Sequence, residues 1–200
     1  MDGFDFVAMD TERDTVELSG GSFDELLYLK NQLVDDAQYQ TVIKTFVTLG
    51  QSQPPGALLE EGATEFIEYL GERHPFGILT FGSQEWQYAK LQASGLYTVP
   101  HIVLSHKHKI MYMKEWRDSQ SGLFVLPEEF STPSGYRYAR ELVLVDDKAA
   151  AFAGIEAGMR GYWLLHRELL PSQAGEVTTR VVRVTSFNDI LNYEAAIDKT

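Results

Sequence analysis

Residues 141–164 read ELVLVDDKAAAFAGIEAGMRGYWL. Leu142–Val145 is an unbroken apolar run, the pattern of a strand buried on both faces of a parallel sheet. Asp146 and Asp147 end it abruptly. The small residues from Ala149 to Gly158 predict a helix suited to close packing, and Gly161–Leu165 predicts the next strand. A strand, a crossover and a second strand, with acids at the turn, make the repeating unit of an α/β doubly wound, Rossmann-like parallel sheet.

Upstream, the same alternation recurs. PFGILTFGS at 75–83 predicts a strand and a turn, Gln84–Ser94 a helix stopped near Gly95, and Pro100–Ser105 a third strand. Lys109–Trp116 predicts a short helix, and Ser186–Ala196 a terminal one. Ala57–Arg73 is amphipathic, with Phe66, Ile67, Tyr69 and Leu70 as its core contacts. At the start of the chain, Phe4, Phe6, Val7, Ala8 and Met9 predict a strand ending at Asp10. Ser22 with Glu25 three residues on is a capping box opening a helix. Asp35–Gly50 continues in helical spacing, with Val42, Phe46 and Leu49 on one stripe. Asp118–Arg140 is irregular, with the spacing of neither element.

The bulk properties fit this plan. Two hundred residues with 44% hydrophobic and 23% charged residues make ordinary globular composition. That length can close an apolar core without staples. Cysteine is absent, which excludes disulfide frameworks, thiolate metal sites and a cysteine nucleophile, and a reducing, cytoplasmic setting is expected. The formal charge of −12 repels phosphate backbones and anionic lipid, so neither nucleic acid nor membrane is expected as a partner. MDGFDFVAMD has no basic leader, and no apolar run is long enough to span a bilayer.

Ligands of open α/β sheets bind beyond the carboxyl ends of the strands. Asp10 and Glu12 follow the first expected strand, Thr80 ends the second, His106-Lys107-His108-Lys109 follows the third, and Asp146-Asp147 the fourth. A carboxylate can attack phosphorus. Magnesium takes hard oxygen ligands and offsets the repulsion between carboxylate and phosphate. An ammonium, a hydroxyl and turn N–H groups can hold the remaining phosphate oxygens.

In these residues the chain resembles the haloacid dehalogenase-like (HAD) hydrolases. GATEFIEYLGER followed by PFGILTFGSQEWQYAKLQASGL is similar to the region of the family's second motif, and ELVLVDDKAAAFAGIEAGMRGYWL to that of its fourth. The third-motif lysine matches Lys109 ahead of IMYMKEW, with Lys107 as the alternative. The first motif departs. The family has Asp-x-Asp-x-Thr; here Asp10-Thr11-Glu12-Arg13-Asp14 places Glu at the acid/base position and Asp where Thr is usual. The rival nucleophile, Asp5, puts Val7 at the acid position and leaves four residues ahead of it, too little chain for a central strand, so Asp10 is preferred.

The resemblance implies a magnesium-dependent phosphatase acting through an aspartyl-phosphate. It implies Asp10 as nucleophile, Glu12 as general acid and base, Thr80 and the Phe81 N–H as phosphate holders, and Lys109 as charge stabiliser. Asp10, Glu12, Asp146 and Asp147 form the implied metal set. It implies a core of residues 1–15 and 54–200 with a small helical cap over 16–53. The substrate class is a small-molecule phosphoester or a phosphorylated side chain. A non-catalytic domain binding a partner or a phosphorylated ligand is the alternative that the Glu12 and Asp14 departures favour.

Other features read more plainly. His106 and His108 are separated by one residue, a weak metal spacing that reads as a solvated loop. Trp86, Trp116 and Trp163 read as core or interface rather than as substrate platforms. G-x-G-x-x-G and G-K-[ST] are absent, which excludes the nucleotide folds that carry them.

Overall fold

The computed structural model describes residues 2–5, 36–130, 137–165 and 179–197. They divide between two compact units: Met1–Val7, Glu61–Phe81 and Val99–Thr200, and Ala8–Glu60 with Gly82–Thr98.

The first unit is built on a six-stranded sheet. Its members are β1 (Asp2–Asp5), β2 (Phe76–Phe81), β3 (His101–Leu104), β6 (Glu141–Asp146), β7 (Met159–Leu164) and β8 (Val181–Val184). They lie side by side in the order β3-β2-β1-β6-β7-β8. Every pairing is parallel. Numbering these six strands by their order in the chain gives 3-2-1-4-5-6, the doubly wound arrangement whose direction of growth reverses between its first and fourth strands. That crevice falls between β1 and β6. Asp5 pairs with Gly77 on one side and Leu144 on the other. The expected strand from Phe4 to Asp10 is therefore represented by Asp2–Asp5, with residues 6–10 outside the described residues. The capping box at Ser22 and the helix it opens also lie outside them.

Side chains alternate between the two faces of each strand. One face carries Leu79, Leu142, Leu144 and Trp163 into a cluster with Ile110, Met113, Trp116, Phe124 and Phe130. Ile110 and Met113 belong to the short helix α4 (Lys109–Lys114), so this face lies under α4. Elsewhere in the unit, α2 (Ala63–Arg73) and α5 (Phe187–Ile197) meet through Phe66 and Phe187, whose ring centroids are 5.3 Å apart. Phe66 and Leu70 are fully buried, as expected, while Ile67 and Tyr69 are half-buried. The helix begins at Ala63 rather than Ala57, after the left-handed Gly62.

Two expectations change here. Ala149–Gly158 is not a helix: one 3₁₀ turn covers Ala149–Phe152. Gly154 then takes a left-handed φ of 85°, and Phe152 packs on Gly161, where an added Cβ would sit 2.6 Å from its ring. Helix propensity loses to the docking of one phenyl ring on a strand glycine. The irregular stretch 118–140 contains a small antiparallel ribbon, β4 (Phe124–Val125) with β5 (Tyr138–Ala139), and a 3₁₀ turn at Glu128–Phe130. The strand β8 has no counterpart among the expected elements.

The second unit packs α1 (Asp36–Gln51) on α3 (Gln84–Ala93). Ile43 and Phe46 meet Trp86, Ala89 and Ala93, with Phe46 and Trp86 centroids 4.7 Å apart. Gly50 lets the helices touch, because a Cβ there would lie 2.5 Å from Ala93 Cβ. The buried stripe of α1 is thus Ile43, Phe46 and Gly50. Val42 and Leu49, expected on it, are 37% and 58% exposed. No described helix is long and apolar enough to cross a membrane.

Candidate active site

At the carboxyl end of β6 the apolar strand delivers Asp146, 4% exposed. Lys109 opens α4 and is 7% exposed. Its Nζ donates to Asp146 Oδ2 at 2.9 Å. The other carboxylate oxygen, Oδ1, accepts the Lys148 backbone N–H at 2.8 Å. Both partners matter physically. A cation at a helix start sits against the positive end of the peptide dipoles, and a carboxylate out of water needs its charge matched. Each group offsets the cost of the other. Lys107, the alternative lysine, is exposed, so the ammonium beside Asp146 is that of Lys109.

Asp147 is half-buried and its backbone carbonyl accepts the indole N–H of Trp163 at 2.9 Å. Trp163 pairs in register with Asp146 across β6 and β7, and Arg183 from β8 lies over its ring, 5.2 Å from the centroid. Trp163, read from the sequence as core or interface, is buried and also pins the acidic turn. Its position at the carboxyl end of a strand was the available signal.

Thr80 is buried near the end of β2. β1 stands between β2 and β6, so Thr80 and Asp146 arise from strands about 10 Å apart across the sheet. Alternation turns Thr80 away from the face that Leu79 and Leu144 share. Phe81 follows it, 46% exposed. The fold therefore brings Lys109 and Asp146 into contact, sets Asp147 beside them, and places Thr80 near the same edge of the sheet on a strand of its own. Asp10 and Glu12 lie outside the described residues. Asp5 closes β1, two residues short of the level of Asp146. Contrary to the expectation that so few residues cannot form a central strand, Asp2–Asp5 pair with β6, and Phe4 and Asp5 pair with β2 as well.

Two solved structures are similar to this chain in fold. One is described as a haloacid dehalogenase-like hydrolase of Burkholderia xenovorans LB400, with a TM-score of 0.56 at 17% identity over 94% of this chain and 95% of that one. The chain has the haloacid dehalogenase-like fold. The other is described as the HAD-hydrolase YfnB of Bacillus subtilis, bound to magnesium, with a TM-score of 0.50 at 15% identity over 96% of each chain. No family model matches the chain, and no curated protein is similar to it in sequence.

In a haloacid dehalogenase-like fold the question is whether the acidic turn suits magnesium. Among the described residues, no three His, Cys, Asp or Glu side chains gather as a metal site. Magnesium, however, keeps several waters and is commonly held by one or two carboxylates together with substrate phosphate. Asp146 and Asp147 are hard oxygen donors of that kind, and Asp146 already stabilises one adjacent cation. The donor chemistry fits.

Proposed function

We propose that the chain is a magnesium-dependent phosphomonoester hydrolase acting through an aspartyl-phosphate on Asp10. The reading rests on the buried Lys109–Asp146 pair at the carboxyl edge of the sheet, beside the crevice between β1 and β6. The fold and the magnesium bound by the B. subtilis protein support it.

In this reading a carboxylate oxygen of Asp10 bonds to phosphorus as the ester P–O bond breaks. Glu12 gives its proton to the departing alcohol. Glu12 then takes a proton from water, whose oxygen attacks phosphorus and releases Asp10 and inorganic phosphate. Thr80 Oγ and the Phe81 N–H hold phosphate oxygens, and Lys109 offsets the charge they carry. Asp10, Asp146, Asp147 and the Glu12 backbone carbonyl would hold magnesium, which when bound neutralises the repulsion between nucleophile and phosphate. Residues 16–53, as a small helical cap, would choose among leaving groups. The substrate would be a small phosphoester or a phosphorylated side chain, in a cytoplasmic setting.

The test is a phosphatase assay with and without magnesium on the wild type, Asp10→Asn and Asp5→Asn. Asp10→Asn is expected to lower kcat by at least about 100-fold. Equal turnover by wild type and Asp10→Asn removes that nucleophile, and loss in Asp5→Asn alone moves the role to the end of β1. A second reading, a non-catalytic domain binding a phosphorylated ligand, draws on Glu12 and Asp14. It predicts binding without turnover, and gain of turnover in Glu12→Asp would show an otherwise assembled site.

A further inference from the structure

The loop joining β3 to α4, Ser105–His108, is basic in an acidic chain. Asp and Glu account for 29 of 200 residues, yet none falls between Glu85 and Glu115. That stretch holds Lys107, Lys109 and three of the five histidines. All four loop residues are exposed. The loop leaves the carboxyl end of β3, where Leu104 stands opposite Phe81 of β2, and runs straight into Lys109.

The two lysines are differently employed. Lys109 gives its charge to Asp146. Among the described residues Lys107 makes no ion pair. His106 Nδ1 accepts the His108 backbone N–H at 3.3 Å, so the neutral ring carries its proton on Nε2 as a donor. The rings of His106 and His108 are 6.1 Å apart. An ammonium between two imidazoles opposes a bound cation and favours an anion. The scissile phosphate already has Lys109 in the reading above, so the loop offers a second cationic group beyond it.

We propose that the His106–Lys107–His108 loop binds a second anionic group on the substrate, carried on the leaving-group side. The site then selects phosphomonoesters whose alcohol bears a carboxylate or another phosphate. This rests on the hydrolase reading of the neighbouring site.

Three phosphonates that cannot be hydrolysed test the loop on the full chain in magnesium buffer. Propylphosphonate has an uncharged far end, 3-phosphonopropionate a carboxylate, and propane-1,3-bisphosphonate a second phosphonate. Affinity is measured by calorimetry, and the ring C–H signals of His106 and His108 are followed by NMR. Wild type should bind one or both of the doubly anionic ligands more tightly, and which of them it prefers separates carboxylate from phosphate. Lys107→Ala should weaken the preferred ligand about threefold to fivefold, the scale of one solvent-exposed charge pair, with propylphosphonate unchanged. Lys107→Arg should restore it, and the two histidine signals should move only with the doubly anionic ligands. Equal affinity of wild type for all three ligands, or equal weakening of all three in Lys107→Ala, overturns the proposal. The readout is binding, so absence of phosphatase turnover sinks the hydrolase reading without altering the result for the loop.

Discussion

Asp146 is the residue whose surroundings are most demanding. It is nearly enclosed, holds an ammonium at 2.9 Å and takes a backbone N–H on its other oxygen. Removing one member of a buried pair leaves the other charge uncompensated, at a cost of about 3 kcal/mol or more. Lys109→Met should therefore lower the urea midpoint by an amount worth about 3 kcal/mol. Adding Asp146→Asn in the same chain should recover part of that loss, and additive losses would show that the two groups do not interact. The sequence favoured Lys109 through its resemblance, with Lys107 as the alternative, and the burial that separates the two came only with the fold. Lys107 lies in the loop and Lys109, two positions on, opens α4, and only the packing of α4 on the sheet buries one and exposes the other.

At the level of elements, α5 shows how local chemistry and packing cooperate. Ser186 and Asp189 form a reciprocal cap. The Asp189 N–H donates to Ser186 Oγ at 3.2 Å, while Asp189 Oδ2 accepts from the Ser186 N–H at 3.1 Å. Oδ2 also accepts the Thr185 N–H and hydroxyl, each at 2.8 Å. These bonds, led by the Thr185 backbone, hold the Asp189 carboxyl below the ordinary carboxylate range. Asp189→Ala should cost about 1 kcal/mol at neutral pH. A depressed carboxyl contributes its stability above the pKa of the unfolded chain and loses it as pH falls through the lower folded value. The difference between wild type and Asp189→Ala in urea titrations should hold from pH 7 to 5 and shrink below about pH 4. A difference that grows on acidification would contradict the cap. Elements as short as β4 and β5 escaped the sequence reading because two residues carry no period to detect. The Ala149–Gly158 helix was predicted from propensity, and Phe152 seated on Gly161 overrode it.

Across the whole molecule, the sheet order puts Asp146 at the reversal between β1 and β6. The opposite, amino end of the sheet is tied down differently. There Arg160 of β7 meets Glu141 of β6 and Glu194 of α5, and the Tyr162 hydroxyl donates to Glu194. Burial, reinforced by Glu194, holds the Tyr162 phenol protonated well beyond its ordinary range. The proposed ligand site at one end and the helix anchoring at the other thus rest on separate groups. If magnesium binds at the acidic turn, it stabilises the fold by mass action. Magnesium at a hundred times its Kd should raise Tm by roughly 5–10 °C in wild type, and calorimetric scans of Asp146→Asn should show almost no rise. An equal rise in both would place the ion elsewhere.

The alternation of apolar runs with amphipathic stretches was enough to read a doubly wound sheet from the chain, because a strand buried on both faces must be apolar throughout. It was enough, too, to place Thr80 and the Asp146-Asp147 pair at strand ends, where the apolar run stops. Partnership needed the folded chain. The Lys109–Asp146 bond joins residues 37 positions apart, and the pairing of Phe4 and Asp5 on both sides decides that so short a segment can be a central strand. Contacts of that separation depend on strand order and burial, and no local pattern encodes either.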